Sequence, residues 1–114
     1  APARAMLQGV PVIATDYAGP RDYLDATTGW PVPCREVPVA PGEALFDMQG
    51  AVWAAIDHDA LVETLRNVAD PATATTRAAR AAAAQRRMRG HYGTTAHAGR
   101  LLARLDALGV TAPV

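Results

Sequence analysis

APARAMLQGVPVIATDYAGPRDYL (residues 1–24) divides into a helix, a short strand and a glycine loop. Arg4, Ala5, Met6, Leu7 and Gln8 favour helix, and Pro2 is tolerated only in a first turn, where its missing N–H has no partner to lose. Gly9 stands where a helix-terminating glycine belongs. Pro11 opens a new segment. Val12, Ile13 and Ala14 form the short apolar run expected of a strand enclosed on both faces of a parallel sheet. Gly19-Pro20 then turns the chain beyond the strand's C-terminal end, the edge at which open α/β sheets bind ligands.

The same residues carry a family resemblance. The stretch resembles the signature of group 1 GT-B glycosyltransferases that use nucleotide-sugar donors, Leu-Pro-x-x-Glu-Ala-Met-Ala-x-Gly-x-Pro-Val-Ile-Ala-Thr-x-x-x-Gly-x-x-Asp/Glu. It is matched here by Pro2, Ala5, Met6, Gly9, Pro11, Val12, Ile13, Ala14, Thr15, Gly19 and Asp22. A helix–Gly–strand–Gly pattern alone is common among α/β proteins; the run of identities is the more specific signal. The resemblance extends downstream. Gly29-Trp30-Pro31-Val32 is similar to the family's edge strand, and Val37-Pro38-Val39, Pro41-Gly42-Glu43 and Trp53-Ala54 through Asp57 are similar to one subgroup. Ala55 and Ile56 replace the Glu-Pro usual there.

At 114 residues the chain is one domain at most, long enough to bury a core. Half its residues are hydrophobic and 19% charged, which excludes a disordered chain. No apolar run reaches the length of a transmembrane helix, and no signal peptide is visible. The single cysteine, Cys34, excludes an internal disulfide and suits a reducing compartment, so the expected location is cytoplasmic, including the inner face of a membrane. With no initiator Met and a helix at its start, the chain reads as the C-terminal piece of a longer protein. Net charge is zero but polarised: residues 1–70 hold ten acids and four Arg, residues 71–114 one acid and seven Arg. Such a basic half suits nucleic acid or an anionic membrane; packing against the acidic half or against a missing domain is the simpler reading and is preferred.

Further along, Asp22 to Asp25 is expected to form one helical turn and residues 30–32 a second strand, with Trp30 as a packing residue. Pro31, Pro33, Pro38 and Pro41 make residues 33–50 a long connection without helix or strand ladder. Asp57 caps a helix with a Leu61, Val62, Leu65, Val68, Ala69 stripe. Asp70-Pro71 ends it and starts the next, over 72–89, whose small side chains offer modest tertiary support; Gly90 is its expected stop. Thr94 or Thr95 caps a last helix bearing Ala98, Leu101, Leu102, Leu105 and Leu108, before a frayed tail from Gly109 to Val114. The fold class is therefore α/β: the end of a Rossmann-like parallel sheet over 1–70, then a helical C-terminal extension over 71–114.

The resemblance implies a metal-independent, retaining enzyme with no cofactor. Its partners are a UDP- or GDP-sugar, a glycan or lipid-linked acceptor, and the missing N-terminal part of the same protein, not nucleic acid. It also implies a final helix that crosses back to that missing part. One wall of the donor site falls on Pro2, Ala3 and Arg4 at the helix head, where free backbone N–H groups favour an anion. Asp16, Tyr17, Ala18 and Gly19 form a more distant rim. The catalytic residues, the first donor-binding Glu, the diphosphate-binding cations and the acceptor domain correspond to sequence upstream of Ala1, so the piece alone is expected to be inactive. The family's second donor Glu corresponds to Arg4. Arginine only donates hydrogen bonds and cannot accept them from ribose hydroxyls. It either pairs with phosphate or faces solvent in a site whose donor recognition is altered or lost.

Other chemistry is weaker. Asp16, Asp22 and Asp25 could bind Mg²⁺ or act as acid and base, but Asp is favoured in turns and caps for its own sake. His58, His91 and His97 lack metal-ligand spacing. Gln85-Arg86-Arg87-Met88-Arg89 reads as a solvated helix face, without the interleaved aromatics of an RNA surface. Gly-x-Gly-x-x-Gly is absent, so no standard dinucleotide fingerprint is present, and there is no Gly-x-Ser-x-Gly and no Ser at all, which excludes a serine hydrolase.

Overall fold

The computed structural model describes residues 1–44 and 49–110. In chain order they form α1 (Pro2–Leu7), β1 (Ile13–Thr15), a 3₁₀ turn (Gly19–Asp22), β2 (Trp30–Val32), β3 (Cys34–Pro38) and β4 (Val52–Ile56). Then come α2 (His58–Ala69), a second 3₁₀ turn (Pro71–Thr73), α3 (Ala74–Tyr92) and α4 (Thr94–Ala107). The class is mixed α/β, with one small parallel sheet, one small antiparallel sheet and a helical C-terminus.

The opening unit forms as the residue pattern requires. Gly9 takes φ +71°. Its N–H donates to the Met6 carbonyl at 3.0 Å, and the Val10 N–H reaches back to the Ala5 carbonyl at 3.0 Å. This double closure satisfies the last carbonyls of α1 and needs a left-handed residue that only glycine adopts cheaply. β1 and β2 pair in parallel, Ile13 with Trp30, Ala14 with Pro31 and Thr15 with Val32. The pairing continues at both ends: Trp30 N–H donates to Val12 C=O at 3.0 Å and Asp16 N–H to Val32 C=O at 2.8 Å. A Cβ at Gly29 would collide with Leu24 Cδ1 and lie 2.7 Å from the Val12 carbonyl, so the chain can return to β1 only through a glycine.

Met6, Val12, Leu24, Ala84 and Met88 form the core cluster, flanked by Ala3, Ala5, Ala14 and Tyr23. Ala81 is buried beside it on the same helix. The small side chains of α3 thus do more than modest work: they admit α1 to close contact and bury Met6 completely. Val32 is fully buried and β2 packs against α2. Trp30 is buried, as its packing role requires, with the Arg80 guanidinium 4.7 Å above its ring.

Several expectations need correction. β1 begins at Ile13 and is half-buried, not enclosed on both faces. The helical turn near residue 22 lies three residues upstream, at 19–22, where Pro20 supplies the fixed φ. The connection 33–50 contains β3, which pairs antiparallel with β4 from Cys34–Ile56 to Pro38–Val52. Proline did not prevent this, because Pro33 lies between β2 and β3 and Pro38 takes the last rung of a sheet with no third strand among the described residues. Residues 45–48 of that connection lie outside the described residues.

α2 is capped as expected, Asp57 Oδ1 accepting from Ala60 N–H at 3.0 Å. Its half-buried face is Leu61, Thr64 and Val68, however, and Val62 and Leu65 are exposed. Asp70 accepts from Ala72 N–H at 2.8 Å and so caps the 3₁₀ turn that leads into α3. α3 runs through Gly90, a helix-interior glycine costing only about 1 kcal/mol. It stops at Gly93, where a Cβ would collide with the Arg89 carbonyl oxygen. Gly93, not a threonine, caps α4, its carbonyl accepting from His97 N–H at 2.9 Å. Gly109 at φ +72° closes α4 as Gly9 closes α1, with Val110 N–H to Leu105 C=O at 3.0 Å. The expected fraying from 109 is thus replaced by a cap at 109–110; residues 111–114 lie outside the described residues.

The chain is spread rather than spherical. Its radius of gyration is 18.6 Å and its extents 57 × 45 × 18 Å, whereas a compact chain of this length has a radius near ~13 Å. On α4, Leu101, Leu102 and Leu108 are each more than half exposed. Among the described residues no helix is long and apolar enough to cross a membrane.

Candidate functional site

Four of the seven expected site residues, Asp16, Tyr17, Ala18 and Gly19, leave the C-terminal end of β1 together. Asp16 is fixed three ways. Its N–H binds Val32, its Oδ1 accepts from Arg21 Nε at 2.9 Å, and its carbonyl accepts from Cys34 Sγ at 3.4 Å. The carboxylate of Asp16 raises the Arg21 pKa further above its ordinary value. Tyr17 has its phenol pushed up by partial burial and then by the neighbouring Glu36 carboxylate. Ala18 sits at φ +48°, ψ −134°, the one non-glycine residue with positive φ among the described residues. Arg21 N–H donates to its carbonyl at 3.0 Å and closes the turn.

Pro2, Ala3 and Arg4 lie at the head of α1. Ala1 is its N-cap and supplies no side-chain hydrogen bond, while the Ala1 carbonyl accepts from Arg4 and Ala5 N–H. Arg4 is exposed and makes no ion pair among the described residues. It borders a shallow open concavity with Ala1, Ala3, Ala5, Gln8 and Val10. None of residues 16–19 is among the residues that line that concavity.

Cys34 and Glu36 join the rim through β3, and the sequence reading missed both because it denied that segment a strand. The available signal was the run Cys34-Arg35-Glu36-Val37, too polar and too close to proline to stand out. β3 and β4 also border a cavity of about 200 Å³ lined by Pro33, Cys34, Arg35, Ala55, Ile56 and Asp57.

Of the three aspartates, Asp25 does turn chemistry and Asp16 pairs with Arg21. Asp25 Oδ1 accepts from Thr27 Oγ1 at 2.6 Å and Thr27 N–H at 2.8 Å, and Oδ2 accepts from Arg87 at 2.6 Å. These contacts, the Thr27 hydroxyl first and Arg87 next, hold the carboxyl well below the usual carboxylate range. Among the described residues no three His, Cys, Asp or Glu side chains gather to hold a metal ion. His91 instead lies edge-on to Tyr92, ring centroids 4.8 Å apart. The basic C-terminal half meets the acidic half mainly at backbone carbonyls: Arg80 donates to Gly29 C=O at 3.1 Å and Arg77 to Val68 C=O at 2.6 Å. No family model, curated protein or solved structure matches the chain.

Proposed function

We propose that this chain is the C-terminal part of the donor-binding half of a GT-B glycosyltransferase, which moves a sugar from a nucleotide-sugar donor to a glycan or lipid-linked acceptor. The observation that carries the reading is the α1–Gly9–β1 unit, paired in parallel with β2 and followed by a loop at the C-terminal end of β1. That edge is where an open α/β sheet receives its ligand. The reading extends β1 and β2 into a Rossmann-like sheet whose other strands belong to the rest of the parent protein. In it the positive end of α1, with the Ala3 N–H, faces the donor diphosphate, Arg4 reaches the same phosphates, and residues 16–19 form the outer rim.

A second reading is favoured by one residue. Arg4 stands where the resembled family has a hydroxyl-binding Glu, and a domain that kept the scaffold but lost the donor would show this change. Calorimetric titration of the intact parent with UDP, GDP and ADP, repeated on Arg4→Glu, separates the two. The transferase reading predicts that the wild type binds one of the three and that Arg4→Glu weakens it roughly 10-fold or more, the loss of a charge-assisted contact. Binding only after Arg4→Glu supports the non-catalytic domain. Silence from both proteins contradicts the glycosyltransferase reading.

A further inference from the structure

Seven arginines lie beyond residue 70, and they divide into two groups. Arg77, Arg80 and Arg87 turn back onto the fold, at the Val68 and Asp70 carbonyls, the Gly29 carbonyl and the Asp25 carboxylate. Arg86, Arg89, Arg100 and Arg104 are exposed and make no ion pair or side-chain hydrogen bond among the described residues. Arg86 and Arg89 sit in the turns of α3 before the Gly93 corner, and Arg100 and Arg104 lie beyond it on α4. Asp106 is the one acid in this half of the chain, and it too forms no ion pair among the described residues. Positive charge therefore gathers on α4 and the turns before it with almost nothing from the fold to balance it.

The same helix carries an apolar stripe that the fold leaves open. Leu101, Leu105 and Leu108 recur at helical spacing and so share one face, with Leu102 beside them. Leu101, Leu102 and Leu108 are more than half exposed, and α4 packs mainly against α3. Arg104 comes three residues after Leu101 and four before Leu108, so it stands on the edge of the stripe, with Arg100 one turn behind it. An arginine stem can lie along apolar surface while its head stays in a polar layer, and a leucine stripe edged in this way is the pattern of a helix that lies in a membrane interface. A second copy of the chain fits less well, since it brings the same unpaired arginines together with one carboxylate per copy to offset them. Nucleic acid would answer the arginines and leave the leucines in water. We propose that α4 is an interfacial helix that lies along an anionic lipid surface, with Leu101, Leu105 and Leu108 in the acyl boundary and Arg100 and Arg104 against the lipid phosphates. The assignment does not depend on the glycosyltransferase reading.

Vesicle flotation of the intact protein tests it, with phosphatidylglycerol vesicles set against phosphatidylcholine vesicles. The protein should float with the first and not with the second, and added salt should release it. Arg100→Gln and Arg104→Gln should each weaken binding about 5-fold, and together about 25-fold. Leu101→Gln combined with Leu102→Gln should weaken it about 10-fold or more at every salt concentration. All four side chains are exposed, so thermal unfolding should be unchanged in these variants. No flotation, equal flotation with both lipids, or binding that survives both double substitutions would overturn the proposal. So would leucine variants that lower the unfolding temperature or dissociate an oligomer while flotation is unchanged, a result that would put the stripe under another part of the protein or against a second copy. If the leucine variants do not fold, the arginine pair, which the fold does not use, decides alone.

Discussion

Ala18 has a backbone conformation that glycine adopts freely and alanine does not. Its φ of +48° with ψ −134° is set by the turn that carries β1 into Gly19-Pro20. A non-glycine residue held there costs of order 1–3 kcal/mol, and the extra freedom of glycine in the unfolded chain offsets about 0.4–1 of it. Ala18→Gly should therefore stabilise the chain by about 1 kcal/mol, read from urea unfolding. A loss of stability would mean that the turn is not under strain. The contrast with Gly9 is informative. Both positions need positive φ, but only Gly9 carries a residue that announces it, so the helix stop was legible and the strained turn was not.

Among the elements, α1, β1, β2 and α2 were legible because each has a local cause: a terminating glycine at 9, an apolar run at 12–14, a glycine that permits close approach at 29, a capping Asp at 57. β3 and β4 were not legible, because proline flanks β3 and the pairing that makes it a strand comes from residues 52–56, distant in sequence. The stop of α3 was misplaced for a related reason. Gly90 costs a helix little in isolation, and what ends α3 is the steric requirement at Gly93 imposed by the corner into α4. The helices also differ in how much they hold. Met88→Ala removes a side chain 4% exposed in the core cluster and should cost about 2–5 kcal/mol in thermal or urea unfolding. Leu102→Gln, at a position 61% exposed on α4, should change stability by less than about 0.5 kcal/mol. Equal effects would show that α4 is packed in solution in a way its exposure here does not indicate.

Across the whole molecule, the opposed charges of the two halves act less as ion pairs than as arginine donors to the other half's main chain. The one ion pair that joins the halves among the described residues is Arg87–Asp25, partly exposed on both sides. Its pH signature follows from the depressed Asp25 pKa. The contribution is complete above the unfolded carboxylate value near ~4 and is lost as pH falls from there towards the lower folded value. Asp25→Asn should therefore flatten the acid limb of the stability–pH curve below about pH 4 while leaving its neutral limb parallel to the wild type; an unchanged acid limb would contradict the assignment. The proposal that this chain is part of a larger transferase is most exposed to test at its proposed donor site. The most direct measurement is residue-resolved hydrogen exchange of the intact parent with and without UDP- and GDP-sugars. The account predicts that one of them slows exchange at the Ala3 amide, whose N–H at the head of α1 is not taken up by the Ala1 carbonyl, with a smaller effect at Asp16–Gly19. Binding that protects other segments and leaves the head of α1 unchanged, or no binding at all, would contradict it.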